Sequence, residues 1–337
     1  MSLLCHELKP RRKTHPETVH YSMIHRYIFL CSFILFLASC GPAQENKGEE
    51  STGTLHLEQT TDYLRIMNGD QPVLNYWLTP QLPDGLPEHY TRSGFIHPIH
   101  SPSGQVVSDG FPAGYAHQNG FFSAWTNTTF RDSFVDFWNT HKELATLRNQ
   151  EIVETVKEDG IIGFKARIDH LSNAHGLILA EELTVRVHDR DDVFVWDVRS
   201  EQTNITEDTL ILNKHLYGGL GVRGSKYWNA KDTTNFMGLA DFLTSDGLTR
   251  DSANHTHPEW TAIYGDLPGG KAGMAVIPHP ENFRWPVGVR VHPDLPYFSV
   301  SPITEKAAFI APGQTYLARY RVVVFDGEVP VDLLSSF

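Results

Sequence analysis

Cysteine is scarce in this chain of 337 residues: it occurs as Cys5, Cys31 and Cys40, and nowhere after them. The sequence from residue 41 onward therefore excludes a disulfide framework and a thiolate nucleophile. Basic residues are also few, because 28 Lys and Arg stand against 40 Asp and Glu, giving a formal net charge of −12. Phosphate contacts need Lys and Arg, so this balance argues against a general nucleic-acid partner.

Long apolar runs are missing apart from residues 27–38, which are too few to span a bilayer comfortably. The run follows His25-Arg26 and ends in Leu-Ala-Ser-Cys at Cys40. This order is typical of a secretory signal, and its ending resembles the bacterial lipobox, in which the cysteine is lipidated and becomes the new N-terminus. We predict lipidation at Cys40 and a lipid-anchored place in the bacterial cell envelope. A plain signal peptide cut nearby is the alternative.

The chain divides into four predicted parts. Residues 1–22 are polar and precede Met23, so we interpret them as a gene-model extension, with residues 23–39 as the lipoprotein signal peptide. Residues 40–53 are mostly small and polar and form a predicted lipid-anchored flexible tether. Residues 54–337 show no internal linker or fixed repeat, and we predict a single β-sandwich domain there.

Short apolar runs separated by Gly, Pro and Asp turns fill residues 54–337. Alternation at period two through Leu183, Val185 and Val187, followed by the polar turn 189–192, predicts a hairpin. Helical patterns are few, and the best candidates are residues 132–148 and a shorter stretch at 237–243. This pattern predicts an all-β, mostly antiparallel sandwich with few short helices.

Recognised catalytic motifs are missing, including the dinucleotide and phosphate loops, the GxSxG elbow, HExxH and CxxC. Histidine is instead abundant, with 18 in the chain. Several lie in loops rich in aromatic residues and proline: His97, His100, His117, His215, His255, His257, His279 and His292. Such loops on a β-scaffold suit a polyol ligand, because sugar C–H faces stack on aromatic rings and imidazoles transfer protons near neutral pH.

Two questions about these residues stay open. The pairs His97/His100 and His255/His257 offer imidazoles for a metal, but their spacing matches no recognised ligand pattern. A packed loop histidine is the plainer interpretation of each. Among the tryptophans, the sequence context favours core packing for Trp77, Trp138 and Trp196. It favours ligand contact for four others: Trp125, Trp228, Trp260 and Trp285.

Five segments carry a family resemblance. They are SGFIHPIHSPSGQVVSDGFPAGYAHQNGFFSAW at 93–125, DFW at 136–138, LGVR at 220–223, GMAVIPHPENFR at 273–284 and RYR at 319–321. Together they resemble an uncharacterised bacterial family labelled PmoA-like. The resemblance implies a β-supersandwich akin to galactose mutarotase folds and, because such proteins occur in polysaccharide-degrading bacteria, a carbohydrate role. The methane-oxidation sense of the label conflicts with the missing membrane spans.

We therefore predict a carbohydrate-active lipoprotein of polysaccharide breakdown, a hydrolase, lyase or epimerase. His117 and His215 are the predicted general acid and base, and Arg223 orients a carboxylate or stabilises an oxyanion. The predicted substrate contacts are His97, Trp125, Tyr217, His279, Asn282, Arg284 and His292. No cofactor is predicted. A non-catalytic glycan-binding lipoprotein and a metal-dependent oxidoreductase using the loop histidines are the alternatives. The sequence leaves the sugar, its linkage and the oligomeric state open.

Overall fold

The computed structural model describes residues 55–337. The predicted signal peptide, the lipidation site Cys40 and the predicted tether lie outside the described residues. Among residues 55–337, no helix is long and apolar enough to cross a membrane.

Strands dominate the described part of the chain. In chain order they are β1 Leu55–Gln59, β2 Tyr63–Asn68, β3 Gln71–Trp77, β4 Ile96–Ile99, β5 Phe121–Ala124, β6 Thr128–Phe130, β7 Ser133–Val135, β8 Ala145–Glu158, β9 Ile161–Ser172, β10 Gly176–His188, β11 Phe194–Asn204, β12 Leu210–Leu212, β13 Gly219–Arg223, β14 Asp241–Thr244, β15 Thr261–Leu267, β16 Gly270–Pro278, β17 Val289–Val291, β18 Tyr297–Val300, β19 Ala308–Ile310 and β20 Thr315–Asp326. The two α-helices are α1 Arg250–Ala253 and α2 Val331–Leu334, and 3₁₀ turns cover Glu88–Tyr90, Thr140–Lys142 and Lys226–Trp228.

The strands form three sheets. Sheet 1 has the order β1-β2-β3-β4-β5-β13-β18-β17, and sheet 2 has the order β14-β15-β16-β20-β11-β10-β9-β8. The smaller sheet 3 has the order β19-β12-β6-β7. Neighbouring strands within each sheet pair antiparallel, as in β13 with β18 and β10 with β11. The predicted all-β, mostly antiparallel class is confirmed.

Sheets 1 and 2 pack face to face through their apolar sides. Phe121 of β5 meets Trp196 of β11 with ring centroids 5.0 Å apart, and Tyr76 of β3 meets Phe164 of β9 at 4.8 Å. These side chains belong to one large buried cluster between the sheets. Burial of this much apolar surface is the main favourable term in folding a sandwich.

The predicted hairpin is present, whereas the predicted helices are wrong. The hairpin predicted around residues 189–192 is formed by β10 and β11. Residues 132–148 contain β7, a 3₁₀ turn and the start of β8 instead of a helix, and residues 237–243 lead into β14. β8 is an edge strand with polar residues exposed along most of its length, so its sequence lacks the alternation that marks a half-buried strand.

The outer face of sheet 1 is the side that points away from sheet 2, and it positions the site. Val222 pairs with Phe298 on the inner side, so Arg223 and its cross-strand partner Tyr297 point outward. Arg223 and Tyr297 are nevertheless buried. Loops must therefore cover this part of the outer face.

Candidate functional site

A cavity of about 390 Å³ opens on the outer face of sheet 1. Its lining consists of Trp77, Gln81, Leu82, Pro83, His97, Asp109, Gly110 and Phe111. The volume lies within the range of small-molecule sites, and the lining combines aromatic surface with a few polar groups, as ligand sites commonly do. We call this space the Asp109 cavity.

Residues 109–119, which we call the covering loop, close one side of the cavity. Asn119 fixes the loop from within, since its Nδ2 donates to the carbonyl oxygens of Gly110 at 2.7 Å and Ala116 at 3.2 Å. Glycine is required at position 110, because a Cβ there would lie 2.6 Å from Cδ2 of His97. Position 120 needs glycine for two reasons. Its φ is +57°, and an added Cβ would lie 2.2 Å from the carbonyl oxygen of Ile96. The local sequence thus holds Asp109 against the strand that carries His97.

Asp109 is a carboxyl group that sequence reasoning missed. Burial raises its pKa to about 6, although the positive charge of Arg223 and a hydrogen bond from the Phe111 backbone act in the opposite direction. A carboxyl group with this pKa can give or take a proton near neutral pH. Only contacts formed by folding produce the shift, so the sequence around Asp109 carried no signal for it.

His97, a predicted substrate contact, lines the same cavity. Its Nδ1 lies 2.9 Å from Oγ of Ser108, and that oxygen also accepts the Ile99 backbone N–H at 2.9 Å. Burial lowers the pKa of His97 to about 3, and nearby His100 and Lys226 add to the effect. His97 is therefore neutral at physiological pH and acts as a hydrogen-bonding group with a fixed ring.

Arg223 lies behind the covering loop with no exposed surface. Its Nη1 donates to Oε1 of Gln118 at 2.7 Å, while Nε and Nη2 have no hydrogen-bond partner within residues 55–337. Burial lowers the pKa of Arg223 to about 10, and the charge of Asp109 acts against that change. The guanidinium stays charged at neutral pH, and it interacts electrostatically with Asp109.

His117, a predicted acid or base, lies in the covering loop near Arg223. Its ring is 4.9 Å from that of His141 and 6.4 Å from that of Tyr115. Burial lowers the pKa of His117 to about 3, with further lowering by His141 and Arg223 and partial opposition by Asp136. A neutral imidazole donates or accepts a hydrogen bond here, but it is a poor proton donor at neutral pH.

The predicted residues His215 and Tyr217 occupy the turn before β13. Nδ1 of His215 lies 3.2 Å from the carbonyl oxygen of Tyr217, and burial lowers the pKa of this imidazole. The Tyr217 ring packs against Trp138 and Tyr297, at centroid distances of 5.6 and 6.4 Å. His215 therefore bonds to its own turn, while Tyr217 covers the part of the outer face that Tyr297 occupies.

His292 follows β17 beside Tyr297, to whose carbonyl oxygen its backbone N–H donates at 3.0 Å. Its Nδ1 accepts the backbone N–H groups of Asp294 and Leu295, each at 3.1 Å. The neutral ring therefore carries its proton on Nε2. Burial lowers the pKa of His292 to about 4, and Arg290 and Arg223 contribute to this.

Trp125, predicted to contact substrate, packs in the core. Its side chain is fully buried, its Nε1 donates to Oε1 of Gln202 at 2.6 Å, and its ring meets Tyr316 edge-on. Trp228 and Trp260 are buried as well. The half-buried Trp77, which the sequence context assigned to the core, is the tryptophan that lines the Asp109 cavity. Trp77 thus both packs against the core and lines the Asp109 cavity, whereas Trp125 lines a separate cavity with Phe283 and Tyr316. The ligand role of Trp125 stays a prediction.

The predicted contacts His279, Asn282 and Arg284 lie in the loop after β16, a strand of sheet 2, and not at the Asp109 cavity. Asn282 donates from Nδ2 to the Arg319 carbonyl oxygen at 2.7 Å and accepts the Arg319 backbone N–H at 2.8 Å. Nη1 and Nη2 of Arg284 donate to three carbonyl oxygens of residues 302–307. Nδ1 of His279 accepts the Glu281 N–H at 3.1 Å. The Asn282 and Arg284 side chains are therefore engaged in fixing loops, whereas His279 lines a separate cavity of about 530 Å³ on sheet 2. The ligand role of this segment stays a prediction.

Within residues 55–337, no group of three or more His, Cys, Asp or Glu side chains is placed to hold a metal ion. In the pair His255/His257, Nε2 of His257 instead lies 3.6 Å from a carboxylate oxygen of Glu305.

A family model matches residues 63–335, and its description is a family of unknown function, DUF6807. This chain belongs to DUF6807. The match covers nearly all of the described residues, so it includes the Asp109 cavity, the covering loop and Arg223. No curated protein matches the sequence.

Solved structures with a similar fold include three carbohydrate-related proteins. A galactose mutarotase-like protein from Lactobacillus casei is 9% identical, with a TM-score of 0.36, over 80% of this chain and 100% of that one. Heparan sulfate lyase HepC from Pedobacter heparinus is 7% identical, with a TM-score of 0.36. The match covers 83% of this chain and 36% of that one. An α-galactosidase from Geobacillus stearothermophilus in complex with stachyose is 10% identical, with a TM-score of 0.38. The match covers 81% of this chain and 41% of that one. The DUF6807 chain thus spans well under half of the two larger enzymes, and we transfer neither ligands nor residue roles from them.

Proposed function

We propose that this DUF6807 protein binds a carbohydrate in the Asp109 cavity and catalyses a proton-transfer reaction on it. The observation that carries the proposal is a carboxyl group of pKa about 6 in the lining of a cavity of ligand size. Such a group matches the demands of general acid–base chemistry, for which the best pKa lies near the working pH.

Trp77 supports a sugar as the ligand. Its ring lines the cavity and is held edge-on by Tyr63, with centroids 5.6 Å apart. A fixed, half-buried indole offers an apolar face for the C–H groups of a sugar ring, while Asp109 and His97 on the same lining offer partners for hydroxyl groups. Proton transfer falls to Asp109, because the predicted pair His117 and His215 have lowered pKa values.

The histidines then serve as neutral hydrogen-bonding groups around the ligand. His97 lines the cavity. The pKa values of His117 and His292 are lowered in part by the positive charge of Arg223. Arg223 provides fixed positive charge that stabilises negative charge developing on the substrate. Hydrolysis, elimination and epimerisation all require such a proton-transferring group next to an electrostatic stabiliser. Because the three reactions share this requirement, product analysis is the measurement that distinguishes them.

The test is a glycan panel assayed for both binding and product formation. We expect turnover of at least one glycan by the wild type, and a reduction of about 10²-fold or more in Asp109→Asn, the usual scale for loss of a general acid or base. Asp70→Asn, at an exposed position in the turn between β2 and β3, is the matched control and should retain full activity.

Two outcomes contradict the catalytic proposal. Full activity of the folded Asp109→Asn protein would remove Asp109 from the reaction. Glycan binding without product on any member of the panel would instead identify the protein as a glycan-binding module that uses the same cavity.

We also propose that the protein is a bacterial lipoprotein, as the PmoA-like motifs and the lipobox-like ending at Cys40 predict. A diacylglycerol on Cys40 would hold the domain at a membrane surface through the tether. Cys40→Ala should move the protein out of the membrane fraction, with Cys31→Ala as the matched control. Unchanged fractionation of Cys40→Ala, together with no lipid label on the wild type, would contradict the proposal.

A further inference from the structure

Arg223 carries a hydrogen-bonding edge that the protein itself leaves empty. Nη1 is engaged by Gln118 at 2.7 Å, whereas Nε and Nη2 find no partner among the described residues. The N–H bonds of Nε and Nη2 lie along one edge of a guanidinium and point in parallel, which is the geometry that receives the two oxygens of a carboxylate. Gln118 therefore fixes the guanidinium by one nitrogen and leaves a two-donor fork free.

Two other arginines, Arg321 and Arg284, use their donors. Arg321 places Nε and Nη2 on the two carboxylate oxygens of Asp197, at 2.7 and 2.9 Å, which is the same fork occupied. Arg284 donates to three carbonyl oxygens. Arg92 is buried with free nitrogens too, but its guanidinium lies over the Phe122 ring at 4.3 Å. Among the described residues, Arg92 and Arg223 therefore both carry a buried fork without a hydrogen-bond partner, and Arg223 is the one that Gln118 fixes through its remaining nitrogen.

Retaining such a group is unfavourable unless it gains a partner in the functional state. Burying a guanidinium without hydrogen bonds to two of its nitrogens carries a desolvation penalty, and buried polar groups are nearly always paired. Arg223 also acts electrostatically on Asp109, a residue of the cavity lining. The free fork of Arg223 therefore lies close enough to Asp109, the proposed proton-transferring group, for the two charges to interact.

We propose that Arg223 binds the carboxylate of an acidic sugar, so that the substrates of this protein are glycans containing uronic acids. The inference rests on the proposed carbohydrate function and names its substrate class. A carboxylate is the planar, two-oxygen partner that the Nε/Nη2 fork matches, whereas the hydroxyl groups of a neutral sugar would satisfy it one oxygen at a time. Because Arg223 has no exposed surface, the covering loop must shift for the carboxylate to reach it.

Calorimetric binding at pH 5 tests the proposal, with oligogalacturonate, oligomannuronate and oligoglucuronate as probes. Each is paired with its carboxyl-reduced form, which keeps the sugar skeleton and loses the charge. We expect at least one acidic probe to bind ten times or more tightly than its reduced partner. Arg223→Lys keeps the charge but loses the fork, and should weaken acidic binding about 30-fold or more, the scale of breaking a buried charge pair.

Gln118→Glu provides a second route that does not depend on replacing a buried arginine. The introduced carboxylate is nearly the same size as the amide and gives Arg223 a resident negative partner, so acidic probes should lose affinity while reduced probes keep theirs. Arg199→Lys on sheet 2, paired with Glu201 at 2.7 Å, is the matched control and should bind like the wild type.

The outcomes separate this inference from the proposed function. Equal binding of acidic and reduced probes, or unchanged acidic binding in both Arg223→Lys and Gln118→Glu, would overturn the carboxylate role and leave the carbohydrate proposal standing. Failure of every acidic and neutral glycan to bind the wild type would overturn both. Asp109→Asn should still bind the acidic probe, because its defect lies in turnover.

Discussion

The covering loop at residues 109–119 and the segment at 279–284 differ in how their polar side chains are used. Both were predicted to contact ligand, and both contain histidine next to polar residues. In the 279–284 segment, Asn282 and Arg284 direct their polar atoms to neighbouring backbone groups. Around the covering loop, Arg223 keeps two donors free and Asp109 holds a carboxyl group of raised pKa in a cavity lining.

The contrast shows that a polar motif on a β-scaffold has two physical origins. A loop without regular pairing must satisfy its backbone groups, and Asn and Arg side chains do this well. A ligand site instead keeps hydrogen-bonding capacity that the folded chain does not satisfy. Distinguishing the two requires a count of hydrogen bonds in the structure, because the residue types are the same.

The largest expected effect is the loss of stability that Asp109 imposes above its folded-state pKa. Folding raises that pKa from 3.8 to about 6, so below about pH 4 the carboxyl group is protonated in both states and imposes no penalty. As the pH rises from about 4 to about 6, the wild type should lose unfolding free energy, and the loss should level off above pH 6 at up to about 3 kcal/mol. Denaturant unfolding of Asp109→Asn should show a gain over the wild type at pH 8 and none at pH 3.5. An equal difference at both pH values would rule out the raised pKa.

Asn282→Ala should have the next largest effect, and on stability alone. The change removes two hydrogen bonds to the Arg319 backbone and leaves buried groups unpaired, which costs about 2 kcal/mol or more. Glycan affinity of the folded fraction should stay at the wild-type value. A large loss of affinity without a fall in melting temperature would restore the ligand role predicted from the sequence.

Trp77→Ala should weaken glycan binding about tenfold, through loss of an aromatic face in the Asp109 cavity. Trp285→Ala serves as the matched control. It removes a ring that is 38% exposed and directly follows the 279–284 segment. Isothermal titration with the best glycan of the panel measures both variants. The comparison between the two regions fails if Trp285→Ala weakens binding more than Trp77→Ala.

The smallest effect is expected for Glu281→Gln. Its carboxylate pairs with Arg319 at 2.8 Å on the surface, and exposed ion pairs contribute about 0–1 kcal/mol. Thermal unfolding should shift little, and binding should not change. A strong effect on binding would indicate that the 279–284 segment contacts the ligand after all.

The fold was more predictable from sequence than the site. Alternation predicted the β10–β11 hairpin, because half-buried strands repeat every two residues. The polar edge strand β8 has no such repeat, and a helix was predicted where it begins.

The site depends on contacts that the sequence does not display. Histidine abundance led to His97 and His117, both of which the structure places at or beside the cavity. The properties of Asp109 arise from Arg223, which lies far along the chain, and from burial by the covering loop. Trp77 ends an ordinary strand, and the loop beyond β3 lines the cavity beside it through residues 81–83.

Hydrogen exchange with and without a mixed panel of neutral and acidic oligosaccharides tests most directly that the Asp109 cavity, and not the 279–284 segment, is the ligand site. We predict that bound glycan slows exchange of backbone amides in residues 77–82 and 109–119, which line or cover the cavity, and leaves residues 279–284 unchanged. Protection confined to residues 279–284 would contradict the account and place the ligand at the segment whose His279, Asn282 and Arg284 the sequence predicts as substrate contacts.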